Sequence, residues 1–162
     1  MKVLYHGSLT IIDEPKIIQS GRTLDFGEGF YTTSSKKQAL QWIKIRLVGK
    51  DMTQGVLNRY YFDDTVLTSA NINVLHFEKP DEAWVDFVME NRLNKNFRHA
   101  HDIVIGPVAN DRVYACFNAF ENGFMNKQTL IGELKTYRLI DQYLFHTEKS
   151  LQYLQYINFQ KV

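Results

Sequence analysis

The sequence predicts an α+β domain in which two small β-sheets pack together with helices on their flanks. Three observations lead there. A chain of 162 residues is the length of one domain with a sizeable core. Its hydrophobic fraction of 44% against 23% charged residues is ordinary for a globular protein. Strand-like and helix-like segments are mixed, without the strict alternation of a doubly wound parallel sheet. No internal repeat, low-complexity tract or linker interrupts the chain, so residues 1–162 read as a single domain.

The elements follow in order. Val3–His6 reads as a first strand ending at Gly7-Ser8, followed by a loop over residues 9–25 with a short turn around Lys16–Gln19. Phe30–Thr33, two aromatics and two threonines behind a Gly-x-Gly, suits a short strand. Ser35-Lys36-Lys37-Gln38 has the pattern of a capping box, opening a helix from Lys36 to Val48 with Ala39, Leu40, Ile43 and Leu47 at helical spacing. Val56–Phe62 and Asn73–Phe77 read as strands. Pro80-Asp81-Glu82 starts a helix, with Pro in its first turn and acids at the positive end of its dipole; Ala83, Trp84, Phe87 and Val88 turn to the core. Residues 92–101 are a polar, basic loop. Asp102–Ala109 is a buried-type strand broken by Gly106-Pro107, and Asn110 caps a helix through Cys116 and Phe120 that stops at Gly123. A helix over Lys127–Tyr137, a strand over Arg138–His146, a short helix capped by Thr147 and holding Leu151 and Leu154, and a strand over Ile157–Val162 complete the chain.

Composition excludes several function classes. A net charge of +1 provides no global field toward nucleic acid or an anionic membrane. The aromatic fraction of 14% supplies bulky core pieces and stacking surfaces. The single cysteine, Cys116, forbids an intrachain disulfide and sits in an apolar stretch, which suits a buried structural thiol better than a nucleophile. The histidines are too scattered for a metal site, and His99 and His101 lack a carboxylate at ligand spacing. Neither a phosphate-binding Gly-x-x-x-x-Gly-Lys loop nor a Gly-x-Ser-x-Gly elbow is present, and Gly27-x-Gly29 lacks the third glycine of a dinucleotide fold. The N-terminal apolar run is too short for a signal peptide, and no run of about 18 apolar residues is available to span a membrane. The expectation is a cytoplasmic protein.

Chemistry concentrates in three strand segments that carry a polar residue where a core strand would not want one. These are His6 in Leu4-Tyr5-His6-Gly7-Ser8, Tyr31 in Asp25-Phe26-Gly27-Glu28-Gly29-Phe30-Tyr31, and Gln142 in Asp141-Gln142-Tyr143-Leu144. Taken singly, each has an ordinary packing explanation. In their order and local context, they resemble the motifs of the ADP-ribosyltransferase superfamily, in its diphtheria-toxin and poly(ADP-ribose) polymerase branch. The likeness extends over nearly the whole chain to small bacterial proteins with that domain, which share Leu-Tyr-His-Gly-Ser, Asp-Phe-Gly-x-Gly-Phe-Tyr and the Phe145-His146-Thr147-Glu148-Lys149 run.

The resemblance implies that NAD+ is the substrate and that no metal is needed. His6 would hydrogen-bond a ribose hydroxyl, and the backbone of Gly7 would take the carboxamide, with Ser8 beside it. Tyr31 would stack on the nicotinamide ring, supported by Gly29 and Phe30, and Ser34 or Ser35 would reach the carboxamide. Arg22 is the candidate for the pyrophosphate, because its planar fork suits phosphate oxygens. Gln142 stands where the polymerase branch has glutamate. An amide hydrogen-bonds a hydroxyl but cannot act as a general base, so single transfer is expected in place of chain elongation. Asp141 faces the other side of the strand and does not replace the missing carboxylate. The acceptor stays open between protein and nucleic acid, the latter because residues 92–101 with Trp84 and Phe97 combine basic and aromatic character. The resemblance also implies a toxin-like role with an antitoxin-like partner protein. Its alternatives are NAD+ hydrolysis and an inactive module that binds NAD+ or ADP-ribose.

Overall fold

A computed structural model describes residues 1–19, 24–108, 111–137 and 139–162, with Asp111 described in its backbone alone. Its first strand, β1 (Lys2–Ser8), is followed by β2 (Phe30–Thr32), helix α1 (Lys36–Leu47), β3 (Val56–Phe62), a 3-10 turn at Asp64–Thr68 and β4 (Val74–His76). Then come α2 (Glu82–Leu93), β5 (Ile103–Pro107), α3 (Asp111–Glu121), α4 (Lys127–Lys135), β6 (Asp141–Phe145), α5 (Glu148–Leu151) and β7 (Leu154–Lys161). The strands form two sheets. One is antiparallel in the order β1-β3-β7; the other runs β2-β6-β5-β4, with only the β4–β5 pair parallel. This is a single α+β domain with two sheets and five α-helices among the described residues.

Side-chain alternation along the strands dictates the layers. Tyr143 and Phe145 of β6, with Ile103 and Ile105 of β5, face Leu4, Tyr60 and Phe62 of the first sheet and build the core between the sheets. Val104 and Leu144 point the other way and pack beneath Trp84 and Val88 of α2, Phe117 of α3, and Leu130 and Leu134 of α4. Helix α1 covers the outer face of the first sheet through Ala39 and Ile43, which meet Leu57. Strand β5 is therefore buried on both faces, which is why Ile-Val-Ile reads as a continuous apolar run. Phe145 is fully buried at the middle of this stack, and truncating such a side chain to Ala typically costs about 3–5 kcal/mol.

Several expectations are corrected. Gly106-Pro107 does not break β5: Gly106 pairs with Gln142 and Pro107 with Asp141. Proline is tolerated because it is the final strand residue, and the ladder resumes with Val108 N donating to the Ile140 carbonyl at 2.7 Å. Pro80 lies outside its helix. Asp81 is the cap, its carboxylate accepting from Trp84 N at 3.1 Å, and that phase buries Val85 and Met89 and leaves Ala83 exposed. Only half of the capping box on α1 is present: Ser35 Oγ accepts from Gln38 N at 3.2 Å, while Ser35 N donates to Thr33 Oγ1. Lys16–Gln19 makes no turn, α4 ends at Lys135, β6 starts at Asp141, and Leu154 opens β7 instead of closing a helix. Asn110 and Arg138 lie outside the described residues.

Candidate functional site

The two sheets meet edge to edge at one point. Tyr5 N donates to Thr33 O at 2.8 Å and Thr33 N to Tyr5 O at 3.0 Å, which joins β1 to the end of β2. Around this junction a cleft of about 680 Å³ opens, with α1 lining one side. His6 and Gly7 from β1, Tyr31 from β2 and Gln142 from β6 all line it. Three distant segments of the chain converge there.

His6 is fixed by its Nδ1–H, which donates to the Tyr31 carbonyl at 2.6 Å, and by stacking on Phe30 with ring centroids 4.6 Å apart. That tautomer leaves Nε2 as a hydrogen-bond acceptor. Burial lowers the pKa of His6 to about 4, against the opposing Tyr31 hydrogen bond, and the Arg46 charge adds to the lowering. The ring is neutral at physiological pH.

Tyr31 is held by its hydroxyl, which donates to Gly27 O at 2.5 Å and accepts from Phe26 N at 3.2 Å. Burial raises its pKa well above the usual range, so the phenol stays protonated. The ring is thereby clamped with its body along the cleft. Gln142 is 8% exposed, and its Nε2 is buried without a hydrogen-bond partner. A buried amide nitrogen left unpaired costs about 1–3 kcal/mol, and such a group in a native structure calls for an explanation. Gln142 also lines the cleft, so an acceptor bound there is one way to satisfy this nitrogen.

The other expected residues are placed differently. Gly7 lines the cleft, but a Cβ there would meet the Ala39 carbonyl at 2.3 Å and Ile43 Cγ1 at 2.9 Å, so the glycine is required by the close approach of α1. Ser8 is buried; its hydroxyl donates to Thr10 O and accepts from Asn58 Nδ2, which makes it part of the β1–β3 framework. At Gly29, φ is +146° and a Cβ would lie 2.3 Å from Phe145 O, so this residue serves the β2–β6 approach. Phe30 belongs to the intersheet core. Ser34 is committed to Asp141, and Ser35 caps α1; neither lines the cleft. Asp141 faces away from Gln142, as strand alternation requires, and also pairs with Lys2 at 3.6 Å. Arg22 lies outside the described residues.

The cleft also contains residues that sequence reasoning missed. Gln38, Trp42, Ile45 and Arg46 form one stripe of α1 along it, with Lys50 just beyond the helix. Their spacing was the available signal, since positions four apart share a helix face. Asp25 is the one carboxylate among the described lining residues. It is 8% exposed, accepts from the Tyr114 hydroxyl at 3.3 Å and pairs with Arg92 at 3.5 Å. Burial raises its pKa, while Arg92 and Tyr114 oppose the rise. These two partners hold the carboxylate in the cleft wall.

Among the described residues, no three His, Cys, Asp or Glu side chains meet in an arrangement for a metal ion, and no helix is long and apolar enough to cross a membrane. No curated protein and no solved structure matches the chain. A family model described as "Protein of unknown function (DUF3990)" matches residues 2–156, nearly the full length. The chain therefore belongs to the DUF3990 family.

Proposed function

We propose that this protein is an NAD+-dependent mono-ADP-ribosyltransferase. What carries the reading is the convergence of His6, Tyr31 and Gln142 on one cleft where the orphaned Gln142 Nε2 awaits an acceptor. The cleft volume of about 680 Å³ lies within the range of small-molecule sites, which runs from about 300 to 1,000 Å³. NAD+ supplies an anomeric carbon whose bond to a cationic leaving group breaks with its electron pair passing to the ring nitrogen.

The residues have separate roles in that chemistry. Tyr31 offers a fixed aromatic face to a flat cationic ring. His6, neutral, accepts from a ribose hydroxyl at Nε2. Gln142 donates to a sugar hydroxyl and so orients the anomeric carbon, but its amide stabilises oxocarbenium character less than a carboxylate does. Arg46 and Lys50 are the cations that line the cleft among the described residues, and they suit the pyrophosphate. Asp25, held by Arg92 and Tyr114, is not placed as the base; the acceptor's proton leaves to solvent or to the acceptor's own surroundings.

The test is a mass balance on purified protein given NAD+ and candidate acceptors. Nicotinamide release should equal acceptor-bound ADP-ribose and disappear in His6→Ala and Tyr31→Ala, while Gln142→Glu should raise turnover. Normal release in both His6 and Tyr31 variants sinks the reading. Free ADP-ribose in place of labelled acceptor identifies a glycohydrolase. Saturable NAD+ binding without release, unchanged in Gln142→Glu, identifies a binding module.

A further inference from the structure

The segment over residues 24–28 has two sides. One side lines the cleft through Leu24 and Asp25; the other, through Leu24, Gly27 and Glu28, lines a separate pocket of about 130 Å³. We propose that this second pocket holds one base of a single-stranded nucleic acid, with the flanking phosphate on Lys95 and Arg98. Nucleic acid is then the acceptor class. The use as an acceptor rests on the transferase reading, whereas the binding itself does not.

Four features support a base. The pocket has room for a group the size of one nucleobase and none for a dinucleotide. Its walls are flat rings locked in place. Phe97 packs edge-on against Phe87 at 6.1 Å, and His99 and His146 lie with centroids 4.2 Å apart. Each histidine is pinned to the segment it faces, His99 Nε2 donating to Phe26 O at 2.8 Å and His146 Nδ1 donating to Glu28 O at 2.6 Å. Pre-set aromatic faces are the surfaces on which unpaired bases stack.

The pocket lining also carries hydrogen-bonding groups. Asn91 is 8% exposed and spends its Nδ2 on Phe87 O at 2.8 Å, so Oδ1 remains an acceptor for an exocyclic amine. The Glu28 carboxylate adds a second acceptor of that kind. Arg98, which lines the pocket with Lys95, donates from one guanidinium nitrogen to the Lys95 and Phe97 carbonyls at 2.8 and 2.7 Å, which fixes its side chain. An acidic peptide would use these two cations but leave the ring faces and the amide unused. A nucleotide uses all of them.

The experiment is fluorescence anisotropy of labelled mixed-sequence single-stranded DNA and RNA, titrated with the full chain in the absence of NAD+. Phe97→Ala should weaken binding about 5- to 150-fold, the value of one stacked base. Because Phe97 also packs on Phe87, the exposed pair Lys95→Gln/Arg98→Gln provides a second reading. It should lower the slope of log affinity against log salt by about 0.7, the value of one neutralised phosphate. His6→Ala should bind the strand unchanged. Absence of saturable strand binding overturns the proposal, as does a salt slope unmoved by the double substitution. Displacement of the strand by equimolar free mononucleotide or by polyglutamate overturns it too. His6-dependent nicotinamide release persisting without strand binding would remove this inference alone and leave the transferase reading intact.

Discussion

Replacing Gln142 by Met should make the protein more stable and inactive. The amide nitrogen is buried without a partner, a state that costs about 1–3 kcal/mol. Methionine has a similar length and no polar atoms, and a volume-conserving swap of this kind costs under about 1.5 kcal/mol. The balance is a gain of about 1 kcal/mol, which for a chain of this size raises Tm by about 2–4 °C. Differential scanning calorimetry of wild type and Gln142→Met reads that shift directly. The same pair tested with NAD+ separates the structural effect from the functional one. Saturation at about 100 times Kd stabilises by about 2.7 kcal/mol, and only when the ligand binds the native state. Wild type should show that rise and the variant should lose most of it. A variant that melts several degrees below wild type would refute the reasoning, since the amide would then be satisfied in the free protein.

Three other perturbations follow from the same geometry. Gly7→Ala places a Cβ 2.3 Å from the Ala39 carbonyl; pushing α1 off β1 should cost about 1–3 kcal/mol in urea denaturation and raise the KM for NAD+, because α1 lines the cleft. Arg92→Met leaves Asp25 buried without its cation and should destabilise by about 3–5 kcal/mol, with Asp25→Asn in the same chain recovering part of the loss in a double-mutant cycle. His6 has its folded pKa lowered to about 4, so between that value and its ordinary one the unfolded chain binds a proton that the native protein refuses. Stability from this residue is therefore complete above pH 6.5 and falls as the pH drops toward 4, by about 2 kcal/mol once the solvent on its open side is allowed for. Urea midpoints measured across that range should fall less steeply in His6→Asn, and an identical slope in both proteins would show that the ring is not desolvated.

What the sequence made legible was whatever depends on local pattern. Strand alternation and helix spacing located nearly every element, and the polar residues at positions 6, 31 and 142 stood out because each interrupts an apolar strand. What it hid depends on which surface a residue meets. Gly7 looked like a ligand-approach glycine, yet the atom excluding a side chain is a helix carbonyl from α1. Ser34 looked available, but Asp141, far along the chain, takes its hydroxyl. Helix α1 was read through its buried stripe, so the neighbouring stripe of Trp42 and Arg46 went unnoticed until the cleft opened beside it. His99 and His146 each drew notice in the sequence for other reasons, but their pairing did not, because it arises only in the fold, where the rings lie 4.2 Å apart and hold the carbonyls of Phe26 and Glu28.

Those carbonyls connect the cleft with the pocket behind it. Between Asp25 and Gly29 the backbone lacks regular secondary structure, and it is held instead by side chains on both sides. The Tyr31 hydroxyl bonds Phe26 N and Gly27 O from the cleft side. His99 and His146 bond Phe26 O and Glu28 O from the other. Asp25 is fastened to Arg92 of α2 and Tyr114 of α3. The peptide groups of three consecutive residues are thus partnered by rings that also form the walls of two binding spaces. A ligand that moves Tyr31 pulls on the carbonyl of Gly27, which lines the second pocket. A ligand that displaces His99 or His146 frees carbonyls beside the Tyr31 anchor. If a ligand in either space shifts these anchors, the two affinities are coupled, and by linkage the effect is equal in both directions. The Tyr31 hydroxyl and the two histidine rings thus hold one short segment from opposite sides, and that segment is a wall shared by the cleft and the pocket.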